Sequence, residues 1–295
     1  MMTGKFQNSS QPGYWGPVTA TLDWCEANYQ FSHFIAEMAN TMSNIFTILL
    51  ALHGARMMLQ EKLPKRYVYG YIGVALIGIG SFAFHATLTF EAQLADELPM
   101  IYVVANACSF LYDSSPGFSV TSSPKGRILL ASSIVFDILF TLSYWMYRNP
   151  VYHQVVFASL MFMIIGRVTY LLRWSEWSNR IPQSTKNSIT RVFWTGIGLF
   201  LFGFFVWNVD NIFCPSLTGL KRTVGWPTAF FLEGHAWWHL LTSFNQDTLK
   251  ACGSYLMSIG QSYLALCVKD SPRNYALGFS AGLIPYIRRV QKVKA

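Results

Sequence analysis

The sequence predicts an all-α integral membrane protein, a bundle of seven transmembrane helices, and three observations carry that prediction. The 295-residue chain is 52% hydrophobic but only 12% charged, where a soluble domain carries about 25% charged residues. Apolar runs of roughly 20 residues recur along it, the length that crosses about 30 Å of hydrocarbon. Its lysines and arginines gather in alternate loops, the bias expected of a chain threaded through a membrane.

The elements follow in order. Residues 1–31 are polar and lack a charged start followed by an apolar stretch, so they read as an extramembrane segment rather than a cleavable signal. Spans are expected at about 32–55, 69–87, 94–112, 127–147, 152–173 and 191–209, with a seventh beginning near 227. Residues 32–268 then form one membrane domain, and 269–295 a basic tail. No repeat of solenoid type and no low-complexity tract interrupts it. If the N-terminus lies outside, one side of the membrane carries Arg56, Lys62, Lys65 and Arg66, then Lys125, Arg127, Arg173, Arg180, Lys186 and Arg191 in loops and helix ends, and the tail. The other side carries only Lys5, Arg148, Lys221 and Arg222. The positive-inside rule therefore predicts a lumenal N-terminus and a cytosolic C-terminus. The net charge of +8 reports that topology and gives no reason to expect nucleic acid as a partner.

Histidines at membrane depth mark function more often than packing, because polar groups there are costly. Ser81 and His85 are spaced i,i+4 near the end of the second span, and His235 and His239 share that spacing at the start of the seventh. Each pair therefore shares a helix face. Asp96 opens the third span. In the predicted topology all five lie on the lumenal side at one depth. Three neutral imidazoles with one open position make a catalytic zinc site, which activates water and polarises a carbonyl. Asp96 then suits a general base and acid. Ser81 suits a hydrogen-bond donor to an oxyanion, since no free histidine remains to activate it as a nucleophile. The expected reaction is hydrolysis of a carbonyl compound that arrives from the bilayer.

Each residue also has a plainer reading. A lone intramembrane histidine bridges helices, and the HxxxH pair lacks the glutamate of the HExxH signature. Glu233 reads as interfacial, Ser81 as a packing residue, and Asp96 with Glu97 and Pro99 as a helix N-terminus that favours carboxylates. The alternative function is a seven-helix receptor or lipid sensor with a structural zinc. Asp96 beside Ser81 favours the enzyme, because a structural metal needs neither. A second polar cluster runs from Asp23 through Glu26 to Asn28, with Glu37 beyond it. Oxygen ligands at alternate positions suit a hard cation such as calcium, and acidic helix caps are the plainer explanation. Asp137 and Arg167, in the fourth and fifth spans, read first as a structural ion pair and second as a lipid head-group contact.

Four motifs, DWCEAN at 23–28, SFAFHATL at 81–88, QLADELPM at 93–100 and GHAWWHLLT at 234–242, resemble those of the alkaline ceramidases over roughly residues 14–268. The resemblance implies seven transmembrane helices and hydrolysis of the ceramide amide to a sphingoid base and a fatty acid, with a lipid substrate drawn from an endoplasmic reticulum or Golgi membrane. It implies zinc on His85, His235 and His239, catalytic support from Ser81 and Asp96, and calcium on Asp23, the Trp24 carbonyl, Glu26, Asn28 and Glu37. For the related adiponectin-receptor-like proteins it implies the same zinc core in the opposite orientation. Of the five cysteines, Cys25 and Cys214 fall on the lumenal side, where disulfides persist, and the resemblance implies that these two pair. Cys108 and Cys267 read as apolar filler within spans.

The sequence departs from the family pattern once. Residues 245–252 stand between Phe244 and Gly253, where the pattern runs on almost directly. Within a helix they would advance it by about 12 Å and leave its phase about 80° off. They would also bring Asp247 and Lys250 to membrane depth, at about 2.5–3.5 kcal/mol each. Either the seventh helix is interrupted there, or the segment is a gene-model artefact such as unspliced sequence.

Overall fold

The computed structural model describes residues 13–119, 121, 123–243 and 253–290. The chain is mostly helical. α1 (Met38–Gln60), α2 (Lys65–Thr87), α3 (Phe90–Tyr112), α4 (Pro124–Tyr147) and α5 (Pro150–Arg173) run in succession. A short α6 (Glu176–Arg180) leads into α7 (Gln183–Ile212), then α8 (Cys214–Val224), α9 (Gly234–Ser243) and α10 (Gly253–Lys269). Six of these, α1 to α5 and α7, are long and apolar enough to cross a membrane. The region expected as the seventh span holds the shorter α9 and α10, of 10 and 17 residues. The segment 245–252 lies outside the described residues.

Local chemistry sets the helix boundaries. Pro124 and Pro150 open α4 and α5 at positions whose N–H would have no partner in the helix. The Ser123 hydroxyl and Asn149 carbonyl oxygens accept from the N–H groups of Gly126 at 2.9 Å and Val151 at 3.0 Å, which caps each helix. α1 begins at Met38, later than the span expected from residue 32. The N–H groups of Ala36 and Glu37 instead donate to the carbonyls of Ala86 and His85 at 2.9 and 3.0 Å. Those carbonyls belong to the last turn of α2, which has no partners of its own. The two segments complete each other, and Glu37 is held beside His85.

α3 packs between α2 on one side and α4 and α5 on the other, while α9 lies against α1 and α7, and α7 also packs on α10. Met58, Tyr71, Val168, Phe193, Leu256 and Leu264 belong to the main core. The outer helices turn Ile134, Leu142, Phe162 and Phe205 outward, the surface a lipid-facing protein needs. Arg167 and Asp137 correct one expectation, since no ion pair joins them. Arg167 Nε donates to the Leu111 carbonyl at 3.1 Å, and its guanidinium lies over Tyr112 and Tyr170.

The tail folds further than its basic charge suggests. β1 (Tyr275–Ser280) and β2 (Ile284–Arg289) form an antiparallel hairpin, with Tyr275 opposite Arg289 and Ser280 opposite Ile284. Gly282 in the turn has φ +72°, a conformation glycine adopts without strain. Ile287 is buried in the main core, and Tyr255 of α10 donates to the Pro285 carbonyl at 3.1 Å.

Candidate metal centre and its surroundings

His85 ends α2, and His235 and His239 project from successive turns of α9. Residues from distant parts of the chain thus meet at one buried point. One ligand nitrogen of each lies within 4.8 Å of the others, and His85 Nε2 is 3.2 Å from His235 Nε2. Three nitrogens around a tetrahedral zinc at about 2.0–2.1 Å would stand about 3.3 Å apart, so the spacing fits. Among the described residues this is the one group of three or more His, Cys, Asp or Glu side chains whose ligand atoms converge in this way.

The nitrogens facing away from the centre explain how the rings are aimed. His85 Nδ1 donates to Glu37 Oε2 at 2.5 Å. His239 Nδ1 donates toward the Asn40 carbonyl at 3.2 Å and meets the Ser43 hydroxyl at 2.8 Å. A carbonyl and a carboxylate can only accept, so with the proton on Nδ1 each of these rings turns its Nε2 lone pair to the centre, and Asn44 Nδ2 also stands 3.3 Å from His239 Nδ1. His235 has no partner at Nδ1 among the described residues and is held instead by Trp24, stacked at 3.9 Å. Two lone pairs directed at a common buried point, with a carboxylate behind one of the rings, suit a cation.

Ser81 lies one turn before His85, its Oγ 3.5 Å from His239 Nε2, and it hydrogen-bonds the partly buried Asp96. The backbone brings these two together. Pro99 has no N–H, so it leaves the Ala95 carbonyl without its donor four residues on. Gly80 of α2 fills that gap: a Cβ there would fall 2.0 Å from the Ala95 oxygen. With no side chain at 80, α2 and α3 approach closely enough for Ser81 to reach Asp96. Gly234 acts similarly before His235. It lies against Asp210, and its N–H donates to Asp210 Oδ1 at 3.0 Å.

The acidic segment is wired more diffusely. Both Glu26 oxygens accept from the N–H groups of Ala39 and Asn40, at 2.6 and 2.9 Å, so Glu26 caps α1 from a distance. Burial, then the charge of Glu233, pushes its carboxyl up to about 8. Asn28 Nδ2 donates to Asp23 Oδ1 at 3.3 Å, while the buried Asn28 Oδ1 has no partner among the described residues. Glu37 Oε1 accepts from the Trp24 N–H at 3.2 Å, and the charges of Asp23 and Glu26 both bear on Glu37. Cys25 and Cys214 form a disulfide that ties this segment to α8. Lys221 of α8 donates to the Cys25 carbonyl at 3.2 Å and to Glu233 at 2.6 Å. Glu233, expected at the interface, is therefore buried and ion-paired. Cys108 and Cys267 are buried and free.

Sequence reasoning passed over the residues behind the histidines. Asn40, Ser43 and Asn44 are buried in an otherwise apolar helix, and polar side chains on one face of a span are the signal that could have found them. It also passed over a buried network beside Asp96. The Gln93 side-chain amide and the Tyr144 hydroxyl both donate to Glu97 Oε2, and Gln93 Oε1 accepts from Thr21 N–H at 2.8 Å.

The profile described as Ceramidase matches residues 16–288. The chain is 37% identical to alkaline ceramidase 3 of Mus musculus over 83% of each chain. It is 30% identical to an alkaline ceramidase of Saccharomyces cerevisiae over 92% of this chain and 84% of that one. With an alkaline ceramidase of Arabidopsis thaliana the identity is 28%, over 95% of this chain and 96% of that one. With the profile matched over most of the chain and relatives at 30% identity or more covering most of both sequences, the chain belongs to the ceramidase family.

Proposed function

We propose that the protein hydrolyses the N-acyl amide bond of ceramide, giving a sphingoid base and a free fatty acid, with zinc on His85, His235 and His239. The observation that carries the reading is the meeting of three inward-facing imidazoles with the Ser81–Asp96 pair inside a lipid-facing bundle. The relatives' names, alkaline ceramidase, supply the substrate class. Zinc bound there supplies Lewis-acid polarisation of the amide carbonyl and a more acidic water. The Asp96 carboxylate takes the proton of the attacking water and returns it to the amide nitrogen as the C–N bond breaks. Ser81 donates to the oxygen that gains charge as the carbonyl becomes tetrahedral. Glu37 and Asn40 hold the imidazole tautomers that leave Nε2 free for metal.

The same reading assigns calcium to Asp23, the Trp24 carbonyl, Glu26, Asn28 and Glu37. Hard oxygen donors and the buried Asn28 Oδ1, without a partner among the described residues, support it. It takes α9 and α10 together as the seventh crossing, with a lumenal N-terminus and a cytosolic C-terminus in an endoplasmic reticulum or Golgi membrane. The test is release of sphingoid base from labelled ceramide by the full chain. Release should stop with a zinc chelator and return when zinc is added back. No release from zinc-replete protein, or release that ignores the chelator, would contradict it.

A further inference from the structure

The turn of α3 that carries Asp96 lacks one of its own ladder bonds. Pro99, inside the helix, offers no N–H to the Ala95 carbonyl and its ring crowds that carbonyl, the arrangement at which helices bend. A bend there would swing Asp96, the residue after Ala95, away from Ser81. The next residue, Glu97, is held from outside the turn. It is buried, and its Oε2 accepts from the Gln93 side-chain amide at 3.0 Å and from the Tyr144 hydroxyl. Its main-chain carbonyl meets His153 Nε2 at 2.9 Å. A carbonyl only accepts, so His153 donates from Nε2.

The three donors come from three helices. Gln93 lies one turn earlier on α3, and its Oε1 accepts from the Thr21 N–H at 2.8 Å, which leaves its amide N–H group to face Glu97. Tyr144 stands in the last turn of α4 and His153 in the first turn of α5, with only Arg148 and Asn149 between the two helices. Their rings are 5.6 Å apart, and Tyr144 is also stacked on Phe140 at 5.7 Å. Neighbouring residues of a helix point about 100° apart. Glu97 therefore faces α4 and α5, while Asp96 faces Ser81 on α2.

We propose that Glu97 is a positioning residue for Asp96. Clamped by Tyr144, His153 and Gln93, it fixes the turn beside Pro99 so that the Asp96 carboxylate stays on Ser81. This rests on the amidase reading above, in which Asp96 carries the proton, and Glu97 itself takes no part in the chemistry. A displacement of about 1 Å at a catalytic group costs about 10²-fold in rate. Such a clamp acts on kcat and leaves zinc content and substrate affinity alone.

The test uses the full chain in mixed micelles of detergent and ceramide, with kcat expressed per bound zinc. Tyr144→Phe removes one donor but keeps the ring that packs on Phe140, and should lower kcat about tenfold with KM and zinc content unchanged. Glu97→Leu removes the acceptor and should lower kcat about 10²-fold. Glu97→Gln keeps an oxygen that accepts from the same donors and should stay within about fivefold of the parent. In an Asp96→Asn background, Tyr144→Phe should add no further loss, because the clamp acts through the carboxylate already removed. A Tyr144→Phe protein with the parent's kcat per zinc overturns the proposal, whatever its thermal stability. So does loss of zinc, a raised KM at unchanged kcat, a Glu97→Gln protein no better than Glu97→Leu, or a full further loss in the Asp96→Asn background. Should Glu97→Leu fail to fold, Tyr144→Phe alone and with Asp96→Asn decides the matter. A zinc-loaded parent that releases no sphingoid base overturns the ceramidase reading and this proposal with it. An active parent with an equally active Tyr144→Phe variant overturns the proposal alone.

Discussion

The three histidines and the Asp23–Asn28 segment lie side by side, joined through Glu37, yet they take their geometry from different sources. His85, His235 and His239 stand on helices, where an i,i+4 spacing fixes a direction before any tertiary contact forms. The back nitrogens of His85 and His239 are then met by Glu37, Asn40 and Ser43, and the His235 ring is stacked on Trp24. Asp23, Glu26 and Asn28 stand on a loop whose shape depends on bonds to other elements: the cap on α1, the disulfide to α8 and the Lys221 clamp. A helix-borne site resists change at its neighbours, whereas a loop-borne site moves with whatever anchors it.

That contrast predicts a ranked series. Asp96→Asn touches neither anchor, so metal should stay bound while turnover falls by about 10²–10⁴-fold. Metal analysis and kcat on the same sample check this, and joint loss of metal would break the separation. Ser81→Ala should cost about 10²–10³-fold in kcat, again with metal retained. A near-normal rate would point to a structural metal in a receptor-like protein. Glu37→Gln acts on the link itself. It should lower metal affinity or activity by about 10–100-fold and weaken the response to calcium, which a calcium titration of activity would show. Asp23→Asn belongs to the loop alone and should raise the calcium needed for half-maximal activity while leaving zinc content unchanged. Loss of zinc in that variant would mean that the loop shapes the histidine centre directly.

The same contrast explains what the sequence disclosed. Six of the expected spans appear as long helices because apolar length is a local property that residues 38–212 carry in full. The convergence of His85 with α9 was legible because the two i,i+4 pairs and the alternating loops bring both to one depth. The start of α1 was not, since Phe34, Ile35 and Ala36 extend the apolar run while Ala36 and Glu37 are drawn off by the open carbonyls of α2. Nor was the Asp137–Arg167 separation, because charge alone does not say that Arg167 turns to the Leu111 carbonyl and two tyrosine rings instead. The hairpin at 275–289 was masked by its arginines. Glu26 as a helix cap required knowing that a loop residue folds back over the end of α1, which no spacing reports.

The central claim is that the histidines hold one zinc ion and that the chemistry depends on it. Zinc content and ceramide hydrolysis measured together on purified parent and His85→Ala protein test it most directly. The parent should carry about one zinc per chain, and His85→Ala should lose both zinc and hydrolysis while remaining folded. A His85→Ala protein that keeps a full equivalent of zinc, or a zinc-free parent that hydrolyses ceramide at the full rate, would contradict the account.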